Sequence, residues 1–373
     1  MNAVIYPSRI KTSNLGDVLI NVLLIRELSK HTEVYLDGEI KEINNLLTVN
    51  NPFSKNIKVI RGLSLFNGKP IVRWLNLFKV INRVGFVFDP PGSYAEGLNK
   101  NKFLFKYYKY YLRARLLKLF GIKVYRWGVS FGDFSLKGYN LQRKLSMQYG
   151  NIAVRDSNNF AKLKNIGFNN LSLIEDLAFL YNPENFKDLL TLREIKDKYI
   201  VLSFRSDIEG SRMNMEYLDK LIIKITQIIK SNFYKDYSIV LSYQVEEDLP
   251  VLRLIHEALN EISIKSKIIE KQLTFSEAIS LYYNASFVFS NRLHVALLAF
   301  LNNTVSLIIT DIENHHKLVN IYNDLQLNEL IIDCDNNLYD CNYINNQNEF
   351  LQKFNDSTFI KREVIINHIQ NFL

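Results

Sequence analysis

The segment Ser290-Asn291-Arg292-Leu293-His294 holds the residue types best suited to chemistry in this chain. It follows the apolar run FVF and opens RLHVALLAFL, which reads as a helix. In open α/β sheets ligands bind beyond the carboxyl ends of the strands, so such a turn is a natural place for binding groups. With Ser290 as N-cap, Arg292 and His294 fall in the first helical turn. Free N–H groups and the helix dipole favour an anion there. Arginine adds a planar fork that matches carboxylate or phosphate, and histidine can give or take a proton near neutral pH. A purely architectural reading stands beside this one: an arginine capping its own fold and a histidine filling a gap.

Arg205 is the second cation of interest. It ends the run YIVLSF and begins the loop RSDIEGSR. Two arginines at neighbouring strand ends suit a ligand with two anionic groups, although a solvated surface arginine fits the same pattern. Near the start of the chain, Ser13-Asn14-Leu15-Gly16-Asp17 lies between the first strand and its helix. Gly16 permits close approach of the backbone, and Asn14 with Asp17 resembles a capping box in which Asp replaces Glu. Asp89-Pro90-Pro91-Gly92-Ser93 forms a rigid loop after the run GFVF, and the permissive loop GVSFG (128–132) follows KVYRW. There is no P-loop and no G-x-G-x-x-G. His315 and His316 are adjacent, a poor geometry for one metal ion, so no metal is expected.

These turns need elements to position them. Short apolar runs at 3–6, 33–36, 57–60, 85–88, 123–127 and 151–154 alternate with helical patterns near 15–30, 71–82, 102–119, 135–149 and 157–165. The pattern restarts with runs at 199–204, 237–242, 266–269, 287–290, 304–309 and 329–333. Its helices fall near 213–231, 247–261, 275–284, 292–301 and 315–324. Such alternation predicts an α/β fold of parallel sheets covered by helices: two Rossmann-like doubly wound domains facing a cleft. The boundaries read as 1–185 for the first domain, 186–345 for the second, and 346–373 for a helical segment packing back across both.

The length of 373 residues suits two domains. Hydrophobic residues at 47% and charged residues at 23% are ordinary for a globular protein. Two cysteines, Cys334 and Cys341, cannot make a disulfide framework. The N-terminal sequence lacks the apolar core of a signal peptide, and no run reaches the roughly 18 apolar residues of a membrane span. A cytoplasmic protein is therefore expected. The net charge of +8 is concentrated: residues 100–126 contain nine Lys and Arg and no Asp or Glu. Within 102–119, Phe103, Tyr107, Tyr110 and Tyr111 interleave with Lys102, Lys106, Lys109 and Arg113. This mixture suits an anionic membrane surface and predicts peripheral attachment at the inner face of the cell membrane. A competing reading turns Leu104, Leu112 and Leu116 to the core and leaves the charges as a solvated face. No recognised module points to nucleic acid.

Taken together the loops resemble the polysaccharide pyruvyl transferase family. The matching stretches are NLGDVLIN (14–21), PPGS (90–93), RWGVSFG (126–132), AVRDSNNFAKLKNIGF (153–168), IEDLAF (174–179), the strand ending in Arg205, and SNRLHVALLAFLNN (290–303) with Lys317 downstream. The chain departs from the family in its shortened glycine loop DPPGS, in Gly132-Asp133 where Gly-Pro is usual, and in lacking a proline before 305–309.

The resemblance implies an architecture like that of glycosyltransferase-B type enzymes. It also implies phosphoenolpyruvate as donor, no cofactor, and as acceptor a sugar of a surface polysaccharide or of its polyprenyl-diphosphate-linked precursor. The product would be a cyclic pyruvate ketal. His294 is then the expected acid/base, with Asp17 or another acidic residue of the first domain acting on the acceptor. Arg205, Arg292, Ser290, Asn14, Gly16, Gly92 and Ser93 would bind substrate. Two other functions suit the same fold: a nucleotide-sugar glycosyltransferase and a non-catalytic anion-binding protein.

Overall fold

The structure is a computed structural model that describes residues 3–7, 10–38, 41–60, 84–94, 100–132, 134–190, 197–205, 214–230, 236–336 and 346–373. The chain forms two compact units. The first contains 1–12, 17–181 and 361–373; the second contains 13–16 and 182–360.

The first unit is built on a parallel sheet in the order β3-β2-β1-β4-β6-β7-β8, with the short β5 also pairing with β6. Its strands are β1 (Ala3–Tyr6), β2 (Val34–Leu36), β3 (Ile57–Val59), β4 (Val84–Asp89), β5 (Gly92–Tyr94), β6 (Lys123–Phe131), β7 (Asn151–Val154) and β8 (Leu171–Leu173). Connecting helices are α1 (Leu15–His31), α2 (Lys41–Thr48), α3 (Lys100–Leu119), α4 (Leu136–Ser146) and α5 (Ser157–Asn165). The central strands β1 and β7 are buried along their whole length. Burial on both faces is why they read as continuous apolar runs rather than alternating ones.

The second unit repeats the plan, with sheet order β11-β10-β9-β12-β13-β14 and every pairing parallel. Its strands are β9 (Tyr199–Ser203), β10 (Ser238–Leu241), β11 (Ser266–Ile268), β12 (Phe287–Ser290), β13 (Ser306–Thr310) and β14 (Ile331–Asp333). The helices are α6 (Met215–Lys230), α7 (Leu249–Glu261), α8 (Phe275–Tyr283), α9 (Leu293–Leu301), α10 (His316–Asp324) and α11 (Gln347–Phe372). Local sequence explains the starts of several. Thr274 and Glu277 close a full capping box on α8. Helix α9 is buried from Val295 to Leu301, so it is apolar all round. Residues 347–360 of α11 belong to the second unit and 361–372 to the first.

The sequence pattern locates most of these elements within a few residues. It misses β5, β8 and α2, and the helix expected near 71–82 lies outside the described residues. Two expectations about α3 are corrected. Leu112 and Leu116 face solvent, whereas the buried side carries Tyr107, Ala114 and Leu117. Arg113 does not belong to a free basic face: it pairs with buried Asp89. That carboxylate also bonds Arg126 at 2.8 Å and accepts from the Tyr149 hydroxyl. Burial alone would push the Asp89 pKa up, but the two guanidinium groups and the hydroxyl hold it down at about 2.

Candidate functional site

Each sheet has one point where strand order reverses, between β1 and β4 in the first unit and between β9 and β12 in the second. The crevice beyond the strand ends at such a point is the usual ligand position in open α/β sheets. The residues singled out in the sequence fall at these two points.

In the second unit, β9 and β12 run side by side with Ser203 opposite Ser290. Ser242 follows Leu241, the partner of Leu202, so three serines form a row across β10, β9 and β12. All three are fully buried. The Ser290 hydroxyl donates to the Ser203 carbonyl at 2.6 Å and accepts from the Arg292 amide at 2.9 Å. Ser290 is thus the last strand residue and not the helix N-cap. The N-cap is Arg292, in an extended conformation, and α9 begins at Leu293. The correction has a plain cause: Ser290 continues the ladder with β9, and its side chain is spent on holding the turn.

Asn291 fixes the two strand ends together. Its side chain accepts from the Arg205 amide at 2.8 Å and donates to the Arg205 carbonyl at 2.9 Å. It also donates to the Tyr217 hydroxyl. The main chain of Arg205 and the Arg292 turn therefore meet at the reversal point. The rest of the loop after Arg205, residues 206–213, lies outside the described residues.

Arg292 is largely buried and forms an ion pair with Asp248, which is itself almost fully buried at the start of α7. Sequence reasoning missed Asp248. Its only signal was the acidic cluster Glu246-Glu247-Asp248 after β10. One guanidinium nitrogen is committed to Asp248, while Arg292 Nε has no hydrogen-bond partner among the described residues. A fixed, partly satisfied guanidinium at a helix start is suited to an anion.

His294 sits in the first turn of α9 and is half-buried. It packs directly on Gly16, which belongs to the same unit. A Cβ at position 16 would stand 2.8 Å from His294 Cγ, inside any real contact distance. Glycine is needed there for space. Asn14 accepts from the Gly16 amide at 3.0 Å, as a helix-start residue does. Gln272 donates to the Ser13 carbonyl at 2.8 Å and holds the same loop in the second unit.

In the first unit, Asp17 lies in the first turn of α1 and is half-buried. A Cβ on Gly92 would meet Asp17 Oδ1 at 3.8 Å, so the glycine loop after β4 borders this carboxylate. Gly92 has φ +128°, a backbone region open mainly to glycine. Ser93 beside it is exposed. The structure therefore brings Asp17 close to Gly92, and brings Gly16, His294, Arg292 and the Arg205 main chain to one region of the second unit.

Two other motif stretches prove architectural. Arg155 bonds Asp176 at 2.7 Å and the Ser130 hydroxyl at 2.8 Å, all buried. Asp156 caps α5 and Asp176 caps the short turn Leu177–Leu180. Gly128, with φ +66°, packs against Leu177 where β6 shifts register. Lys317 lies in α10. Among the described residues no cluster of His, Cys, Asp and Glu could hold a metal ion, and no helix is long and apolar enough to cross a membrane.

A family model described as polysaccharide pyruvyl transferase matches residues 14–311. No curated protein matches the chain. Among solved structures, the chain is similar to Anabaena HepE in complex with UDP, at TM-score 0.57 and 10% identity over 100% of this chain and 98% of that one. It is also similar to Staphylococcus aureus MnaA with UDP, at 0.56 and 10% over 100% and 97%. A third is the UDP-GlcNAc 2-epimerase of Neisseria meningitidis bound to UDP-GlcNAc, at 0.55 and 12% over 98% and 94%. At these identities the likeness shows the fold, which is of the glycosyltransferase-B type.

Proposed function

Because the chain belongs to the polysaccharide pyruvyl transferase family, we propose that it moves the enolpyruvyl group of phosphoenolpyruvate onto two hydroxyls of one sugar. The product is a cyclic pyruvate ketal in a surface polysaccharide or its lipid-linked precursor. Beside the family match, one observation supports this reading. The reversal point of the second sheet joins an arginine braced by a buried carboxylate, a histidine seated on a glycine, and a helix start.

Phosphoenolpyruvate carries a carboxylate and a phosphate. Arg292, aided by the free amides at the start of α9, takes one of them, and Arg205 takes the other. His294 gives a proton to the methylene carbon, which becomes the methyl group, and C2 becomes electrophilic. One sugar hydroxyl adds to C2 and its proton returns to the base. The second hydroxyl then displaces phosphate, which leaves with the remaining proton, and the ring closes. Asp17 orients or deprotonates the acceptor, with Gly92 and Ser93 alongside and Asn14 and Gly16 shaping the loop. In this reading residues 1–185, apart from the stretch 13–16 that belongs to the second unit, form the acceptor side and 186–345 the donor side, in the cytoplasm where phosphoenolpyruvate is available. The reaction as written needs no cofactor.

The test is incubation with phosphoenolpyruvate and a panel of oligosaccharide and lipid-linked acceptors, read by mass spectrometry and phosphate release. The expected result is an acceptor gaining one ketal-linked pyruvate per phosphate released. Solved structures of this fold hold UDP or a UDP-sugar, so UDP-sugars serve as the control donor. Transfer of a sugar from them, with phosphoenolpyruvate inert, would overturn the proposal.

A further inference from the structure

Helix α3 has two unlike faces. Tyr107, Ala114 and Leu117 are buried in the first unit. On the opposite side Phe105 is 75% exposed, Tyr108 57%, Leu112 56%, Leu116 37% and Leu119 76%. Their spacing of three and four residues gathers them into an arc of roughly 80° at 3.6 residues per turn. Phe120, 47% exposed, extends the stripe past the helix end. Apolar side chains lined up in this way on a water-facing helix mark an interaction surface.

The charges bordering the stripe identify its partner. Lys109 and Arg115 flank it on either side, with Lys106 and Lys118 one step further round, and all four are exposed. Residues 100–126 contain no Asp or Glu. A self-complementary contact with a second copy would set this basic face against itself. Nucleic acid would match the charge but would gain nothing from Phe105, Leu112 and Leu119. An anionic bilayer matches both: the apolar stripe enters the headgroup boundary, the basic side chains reach phosphate, and their stems lie along the apolar surface.

We propose that α3 is a membrane-docking helix that seats the protein on anionic lipid through the Phe105–Leu119 stripe and its lysine and arginine flanks. The inference does not depend on the reaction proposed above, and its test does not use activity.

The full chain is sedimented with vesicles of phosphatidylcholine alone and of phosphatidylcholine with phosphatidylglycerol, at low and high salt. Binding is expected to the anionic vesicles and to weaken at least about tenfold at high salt, as screening shortens the reach of the basic residues. Replacing Lys106, Lys109, Arg115 and Lys118 by Gln should weaken it by about fivefold per residue, the equivalent of about 1 kcal/mol each. The variant Phe105→Ser with Leu112→Ser and Leu119→Ser should lose binding at either salt. Phe105→Trp supplies a second readout, since the fluorescence of the introduced indole should be quenched by brominated lipid. No binding to phosphatidylglycerol vesicles at low salt would overturn the proposal. So would unaltered binding by both variants, an absence of quenching in Phe105→Trp, or a DNA duplex bound equally well by the serine variant. Loss of a dimer by Leu112→Ser without vesicle binding would assign the face to a second copy instead.

Discussion

His294 rests on Gly16 with no space between them for a side chain at position 16. The glycine in the first turn of α1 and the histidine of α9 thus form one unit of structure in which each sets the place of the other.

Gly16→Ala is accordingly expected to displace the imidazole. Misplacing a catalytic group by about 1 Å can cost about 100-fold in rate, so turnover should fall by that order while the thermal transition shifts little. His294→Ala should cost a comparable factor with phosphoenolpyruvate affinity retained. If Gly16→Ala keeps normal turnover, the histidine is not the acid.

Asp248 braces Arg292 from a position 44 residues away. Arg292→Lys keeps the charge but loses the fork, so it should restore little of the binding lost in Arg292→Ala. Asp248→Asn should raise KM for phosphoenolpyruvate with a smaller effect on kcat, because it loosens the guanidinium rather than removing it. An unchanged KM would leave the ion pair a purely structural tie.

The Arg155–Asp176 pair is buried in the first unit, whereas Arg292 and His294 belong to the second. Breaking a buried pair by removing one partner costs about 3–5 kcal/mol. Asp176→Asn should therefore lower the melting temperature markedly yet leave phosphoenolpyruvate affinity of the remaining folded protein unchanged. A selective loss of affinity would move this motif into the site.

His368 of α11 packs edge-on to Trp127, with ring centroids 4.9 Å apart, and against Phe372. Burial lowers its pKa to about 4. Between that value and the unfolded value near 6.5 the unfolded chain binds more protons, so stability falls as pH drops through this window and is fully present above it. Denaturation of the first unit, followed by Trp127 fluorescence from pH 7 to 4, should show this loss. His368→Leu should flatten it, and an equally steep profile in that variant would assign the acid sensitivity to other groups.

Much of this fold is legible in the sequence because its central strands are buried on both faces. Runs such as IVLS and FVFS stand out, and the turns that follow them are where Arg205, Arg292 and His294 occur. Three-residue strands such as β5 and β8 carry too short a pattern to register. Ser290 reads wrongly because a serine before a helix looks like a cap whether or not the strand still holds it. Asp248 stays hidden because the cluster Glu246-Glu247-Asp248 gives no sign of which carboxylate turns inward. The VRD and EDLAF motifs each show a charged residue beside an apolar run, but only the paired geometry shows that the two form a buried tie.

Calorimetric titration of phosphoenolpyruvate into the wild-type chain and the Arg292→Ala and His294→Ala variants tests the donor site most directly. Wild type should bind, Arg292→Ala should lose about 2–3 kcal/mol of affinity as a charge-assisted contact is removed, and His294→Ala should bind nearly as wild type. No heat with phosphoenolpyruvate, or equal affinity in Arg292→Ala, would contradict a donor site at this turn.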